Sequence, residues 1–401
     1  MMGLVSIETI APVSLASFTR RRREAKRPMA QRNENFDAEF DDDTLFFDAF
    51  GDGDGGEVVL IGPPLFNLEP FLRGMKIVAA PSGAECTHQI TKLHHLIQIR
   101  VNAPRSTARL RVISALGEFD VSVSSSRTDH FAGRRVLLTL SKNNKLAWIQ
   151  DWIRYHRDVH GADAVIIYDN GSTDYDPATL AGAIGALKGV KAATVVPWPF
   201  KYGPQGTAAP SSWDSQFCQS AALEHARRRF LANAASVLNG DIDELVVGPD
   251  RRGVFAAVET SWLGVLNYYG YWVYGASGKG LSLPHKDKVR HKDFIVTLKP
   301  AVQHNFFHNL RYKLFREHRN RCKRKWVVVP RRCPNASQWR VHDIANWFVG
   351  RLPSWRLSYR HFHNISTNWW YNRELSLEFD SNLHEVDTLL EANLRKVDWN
   401  A

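Results

Sequence analysis

The chain has 401 residues, 44% of them hydrophobic, which is enough to bury a sizeable core. Its formal charge is +11 and its pI near 9.5, an excess that suits nucleic acid, an anionic membrane, a phosphorylated substrate or an acidic polymer without choosing among them. The four cysteines, Cys86, Cys218, Cys322 and Cys333, include no CxxC pair, which excludes a disulfide framework and a zinc cluster.

No window reaches the roughly 18 consecutive apolar residues of a membrane span. The mildly apolar start precedes its basic run, Arg20 to Arg23, whereas a secretory signal has its charge first, so a cytoplasmic protein is expected. Residues 1–35 read as a disordered basic segment. The acidic stretch from Asp37 to Asp54 carries Phe40, Phe46, Phe47 and Phe50, and its glycine-rich tip at 51–56 reads as a solvated turn, because the oxygen spacing and closing Glu of an EF-hand loop are missing. Short β-rich runs follow at 58–61, 76–79, 96–101 and 110–113, separated by Gly, Pro and Asn. They predict a β-rich accessory domain over 36–134.

At Arg135 the pattern changes. Residues 136–140 form a buried-type strand, and 146–160 carry two apolar rows at helical spacing that end at Gly161. A second strand at 164–168 leads into the polar turn Asp169-Asn-Gly-Ser-Thr-Asp174. Asp176 and Pro177 then supply the cap and first turn of a helix. A third strand at 190–196 follows. Asp214 is placed to cap a long helix through Phe230, and residues 236–238 enter Asn239-Gly-Asp241-Ile-Asp243-Glu244. This alternation predicts a doubly wound α/β sheet with ligands beyond the carboxyl ends of its strands.

Two acidic clusters fall on that edge. After the second strand, Asp169 and Asp174 suit a ribose hydroxyl or a base N–H, or merely an Asx-turn. In the other cluster, Asp241 and Asp243 would point the same way if the segment is extended, converging on Mg²⁺ or Mn²⁺ that bridges two phosphate oxygens. A solvated acidic turn is the plain alternative.

Ser141-Lys-Asn-Asn144, Trp148-Ile149, Trp152 to His156, Gly161 and Ile167 to Asn170 resemble the nucleotide-binding start of the glycosyltransferase family 92 and family 2-like group. Gln216 with Cys218, Asp241 to Glu244, Trp272 to Gly278, Lys325 to Pro330, Val341-His342 and His361 to Ser366 are similar to its later motifs, in order, over about 136–375. The resemblance implies a GT-A (Rossmann-like) mixed sheet flanked by helices over 135–375, preceded by the small β-rich domain and followed by a helical tail at 376–401. It also implies metal-dependent hexose transfer, with inversion, from a nucleotide-sugar such as a UDP-sugar to a glycan or lipid-linked acceptor, as in polysaccharide biosynthesis.

Carried over by motif, Lys142, Asn143, Asp169, Asp174 and Asp241 are the donor-binding candidates, and Asp241, Asp243 and His342 the metal candidates. His363 has standing similar to His342, with Ser366 nearby. Glu244, Asp287 and Asp293 are candidates for the general base that inversion requires. Asn144 stands where the family has Glu, which keeps a catalytically inactive sugar- or partner-binding relative in view. The glycine-rich loop at 275–280 is a candidate lid or a surface hairpin. The basic run at 311–332 suits a diphosphate, an anionic glycan or peripheral contact with an anionic membrane, though most of it reads as a solvated face. Trp347, Trp355, Trp369 and Trp370 offer faces for sugar rings or for core packing. A nucleic-acid partner is not expected, since no RRM, KH, helix-turn-helix or zinc signature occurs.

Overall fold

The computed structural model describes residues 4–52, 55–204, 214–248, 253–278, 280–285, 288–299, 320–354, 356–365 and 377–400. Asp287, Ser366, Trp355, Trp369, Trp370, Lys279 and the part of the basic run before Asn320 lie outside these.

The N-terminal region contributes β1 (Leu4–Ile7) and two four-stranded antiparallel sheets. In chain order their strands are β2 (Asp48–Gly51), β3 (Glu57–Gly62), β4 (Lys76–Ala80), β5 (Ala84–Cys86), β6 (His88–Leu93), β7 (Leu96–Asn102), β8 (Arg109–Ser114) and β9 (Gly117–Ser122). The sheet orders are β2-β3-β7-β6 and β9-β8-β4-β5. The run Val58-Val-Leu-Ile61 has no polar alternation because both its faces are covered. Val58 and Leu60 enter the core between the two sheets, while Val59 and Ile61 pack with Phe47, Phe217 and Trp198 against the rest of the protein.

The main sheet uses β10 (Arg135–Ser141), β11 (Ala164–Asp169), β12 (Ala192–Pro197), β13 (Ser236–Asn239), β14 (Glu244–Val247), β15 (Val265–Val273), β16 (Arg321–Val328) and β17 (Ser358–Phe362). Its nine strands run β1-β12-β11-β10-β13-β16-β15-β17-β14. The five from β1 to β13 are parallel, with the third-second-first-fourth order of a doubly wound sheet. The far half is mixed, β16 running antiparallel to both β13 and β15.

Helices cover both faces. On one lie α1 (Leu146–His160), α2 (Pro177–Gly185), α4 (Gly253–Thr260) and the C-terminal α5 (Thr388–Leu394), and on the other α3 (Phe217–His225) with the sheet β2-β3-β7-β6. The pleat divides each strand between the two cores: Leu137, Val165 and Ile167 face α1, while Val136, Leu138, Ile166 and Tyr168 face α3. The two apolar rows of α1 serve different neighbours. Trp148, Trp152 and Tyr155 are buried and reach the backbone carbonyls of Val289, Glu244 and Val246, at 2.8, 3.0 and 2.7 Å.

Two expectations change. The first concerns residues 4–35, which are ordered. Leu4–Ile7 extends the main sheet beside β12, and Arg23 is buried with its guanidinium donating to the carbonyls of Pro64, Asp41 and Thr44 at 2.7, 2.8 and 2.6 Å. An arginine whose three guanidinium nitrogens each donate to a carbonyl can be buried where an isolated charge cannot. The second concerns Asp214, which is not a helix cap. It is buried in an ion pair with Arg27 at 2.8 Å, and α3 starts after Gln216, which has φ of 62°.

Candidate functional site

The parallel register brings three strand ends to one edge. Ser141 pairs with Asp169, and Leu138 with Asn239, so the loops after β10, β11 and β13 start side by side.

The first two loops are tied together by Asn143, held at φ of 53°. Its N–H donates to Ser172 Oγ at 2.9 Å, and its Oδ1 accepts from the N–H groups of Thr173 and Asp174 at 2.7 and 3.3 Å. Asp169 is buried and accepts from Ser172 N–H and Oγ at 3.2 and 2.5 Å, closing an Asx-turn. Asn170 donates to the carbonyls of Trp198 and Phe200, both at 2.8 Å. Asn143 and Asp169 therefore shape the edge, while Lys142 and Asp174 are exposed on it. Asn144 donates to Ser141 Oγ at 2.9 Å, and its carbonyl accepts from Tyr175 Oη at 2.9 Å, so it also braces the loop.

The third loop is a turn, closed by Glu244 N–H donating to the Asp241 carbonyl at 3.0 Å, and not the extended segment expected. The turn sends its acidic side chains to different partners. Asp241 Oδ2 accepts from Lys325 Nζ at 2.8 Å, and Glu244 Oε2 lies 3.1 Å from the same ammonium while accepting from Asp241 N–H at 2.9 Å. Asp243 Oδ2 pairs with His361 Nε2 at 3.0 Å, and the His361 ring stacks on Trp272 with centroids 4.0 Å apart. Three further contacts fix the backbone: Trp152 Nε1 donates to the Glu244 carbonyl, His291 Nε2 to the Ile242 carbonyl at 2.8 Å, and Phe362 N–H to the Asp243 carbonyl at 2.8 Å.

Burial alone would raise Asp241, but Lys325, by charge and hydrogen bond, holds its carboxyl below the usual range. Glu244 is pushed up to about 7, first by burial and then, against the pull of Lys325, by the charge of Asp241. Burial also opposes the charge on His361, yet Asp243 beside it raises that ring to about 10. His342 is lowered to about 4 by burial and by Lys325. Its Nδ1 lies 3.1 Å from the Arg324 carbonyl, which fits a neutral ring donating from Nδ1.

The metal expectation fits these residues poorly. Asp241 and Asp243 are engaged by cationic side chains from different strands. Among the described residues, no group of three or more His, Cys, Asp or Glu side chains is arranged to hold a metal ion. The candidate bases also separate. The Glu244 side chain is only 4% exposed, folded under the turn, and Asp293 accepts from Arg290 N–H at 2.7 Å to cap a single turn at His291–Asp293. That turn presents His291 to Ile242, with Arg290 paired to the buried Asp151. His363 stacks on Tyr274.

His291 and Asp151 are the residues of this site that sequence reasoning left unmentioned, while Lys325, His361 and Trp152 stood inside motifs without an individual role at the acidic turn. Lys325 stood inside a basic run and a later motif, and His361 opened the motif that also holds His363, so neither stood out as the partner of an acidic side chain.

No family model matches the chain, and no curated protein matches it at a significant level. Among solved structures the chain is similar to an active-site mutant of LgtC, with 18% identity over 36% of this chain and 49% of that one and a TM-score of 0.22. It is also similar to the galactosyltransferase LgtC in complex with donor and acceptor sugar analogs, with 16% identity over 49% and 58% of the two chains and a TM-score of 0.25. The chain thus spans about half the length of these structures. The resemblance to glycosyltransferase family 92 rests on its motifs alone.

Proposed function

We propose that the protein transfers a hexosyl group from a nucleotide-sugar, a UDP-sugar, to a hydroxyl of a glycan or lipid-linked acceptor. The observation that carries this reading is the convergence of the Asn143-tied turn and the Asp241 to Glu244 turn at the carboxyl edge of a sheet with third-second-first-fourth strand order. Lys142 and Asp174, exposed on the rigid first turn, would meet the nucleotide. Asp241, whose side chain is 37% exposed, is the carboxylate of the second turn open to the donor.

In transfer with inversion, the acceptor oxygen forms a bond to the anomeric carbon as the bond to the diphosphate breaks, and a base takes the hydroxyl proton. Glu244 has a suitable basicity but lies under the turn, where it positions Asp241 and Lys325. Asp287 is kept as the candidate base. Among the described residues no helix is long and apolar enough to cross a membrane, and contact with an anionic membrane through the basic residues stays part of the proposal.

The test is thermal-shift titration with UDP, ADP and GDP, followed by UDP-sugar hydrolysis. A UDP-selective rise in melting temperature that is weakened in Asp174→Ala, together with slow donor hydrolysis, is expected. No nucleotide response would sink the reading. UDP binding without hydrolysis or transfer would favour the inactive relative, a reading that Asn144 supports.

A further inference from the structure

We infer that Lys325 is the built-in cation of the acidic turn, so that this protein holds its nucleotide diphosphate without a divalent metal ion. The inference rests on the nucleotide-sugar reading above and concerns how the same edge handles charge.

Lys325 lies on β16, whose pleat sends it and the neighbouring Trp326 to opposite faces. Trp326 is buried in the core with α3, while Lys325 reaches the turn after β13. Its side chain is 2% exposed and its ammonium sits between two carboxylates, 2.8 Å from Asp241 and 3.1 Å from Glu244. A divalent ion bridging those same oxygens would have to share them with a fixed positive charge at contact distance. The second aspartate offers no way round, because Asp243 is paired with His361, which is itself packed flat on Trp272. Two basic side chains thus face three carboxylates, and the turn's charge is nearly balanced before any ligand arrives.

In a site where the carboxylates are uncompensated, a bridging cation must screen them from the diphosphate. Here the protein supplies that screening. Lys325 is held by buried surroundings and by the carboxylates of Asp241 and Glu244, of which Glu244 is itself anchored at its Oε2 by the Asp241 N–H and at its backbone carbonyl by Trp152.

The experiment has two readouts on the intact chain. Calorimetry measures UDP affinity in EDTA and in excess Mn²⁺, and the electron paramagnetic resonance signal of free Mn²⁺ reports metal binding with no nucleotide present. Wild-type protein is expected to bind UDP with affinities equal to within about twofold in both conditions and to leave the Mn²⁺ signal undiminished. Lys325→Met, similar in length but uncharged, is expected to release Asp241 and Glu244, to take up Mn²⁺, and to bind UDP more tightly with the metal than without.

UDP affinity at least about tenfold higher in Mn²⁺ for the wild type, or Mn²⁺ uptake by the wild type alone, would overturn the inference. UDP binding in neither condition would remove the nucleotide reading instead, while the Mn²⁺ signal of wild type and variant would still decide the part played by Lys325. Should Lys325→Met not fold, the two wild-type measurements decide it.

Discussion

The pairing of His361 with Asp243 predicts an unusual loss of stability in mild alkali. The ring nitrogen lies 3.0 Å from the carboxylate, with side chains 11% and 7% exposed. It is faced by Asp243 and Glu244 from the acidic turn and by Cys322 from β16. Its value of about 10 in the folded protein stands against an ordinary 6.5. The folded chain therefore keeps a proton that the unfolded chain releases. This stabilisation is complete below pH 6.5 and is lost as pH rises through about 10. One retained proton corresponds to ~1.4 kcal/mol per pH unit. Between about pH 7.5 and 9 the loss comes to about 2 kcal/mol. Glu244, raised to about 7, loses its own contribution mainly below this window, and the Cys322 thiol, pushed up by burial from 9.0, adds only at its upper end. Urea denaturation of wild type and His361→Gln across the window measures the difference. The variant should be less stable at pH 7.5 by about 3 kcal/mol, because the buried Asp243 carboxylate loses the cation paired with it, yet should lose much less on alkalinisation. Parallel curves for the two proteins would refute the reasoning, as would a wild-type stability that does not fall.

Gly270→Ala would place a methyl 2.2 Å from Tyr359 Cζ, and that ring is held by its own bond to the Lys323 carbonyl at 2.7 Å. A destabilisation of ~1–3 kcal/mol by overpacking is expected, with a weaker UDP response, because His361 lies two residues beyond Tyr359. Asn143→Ala removes the bonds to Thr173 and Asp174 and leaves an alanine at positive φ, whereas Asn143→Gly removes the bonds alone. Both should weaken UDP binding in calorimetry, and Ala should cost about 1 kcal/mol more stability than Gly. On the acid side, His160 is lowered by burial to about 4. Its Nε2 lies 2.7 Å from the Val246 carbonyl, and its Nδ1 accepts from Val254 N–H at 3.2 Å, the pattern of a neutral ring. Its contribution is complete above pH 6.5 and lost as pH falls through about 4. His160→Asn should therefore remove up to ~3 kcal/mol of the acid-induced loss seen in chemical denaturation.

The alternation of strands and helices from 136 to 245 was legible because each element's apolar spacing is local, and local spacing is what a sequence displays. The Val58 to Ile61 run also carried more than strand identity, since an unbroken apolar strand implies cover on both faces, as the sheet β9-β8-β4-β5 and α3 provide. The N-terminal segment was illegible for the opposite reason. Arg23 is satisfied by carbonyls up to 41 residues away, and no spacing rule connects a basic run to distant carbonyl oxygens.

The acidic motif shows the same limit within the site itself. Its position at a strand end was readable, and so was its nearness to the Asp169 turn. The geometry of Asp241 and Asp243, however, depends on whether the segment is extended or turned, and the i→i+3 bond from Glu244 to Asp241 settles that after Gly240. Their partners, Lys325 and His361, arrive from strands 84 and 118 residues later. A D-x-D triplet by itself implies only a concentration of negative charge. Whether that charge awaits a metal or is already balanced depends on which cationic side chains the far half of the sheet delivers to it, and here β16 and β17 each deliver one.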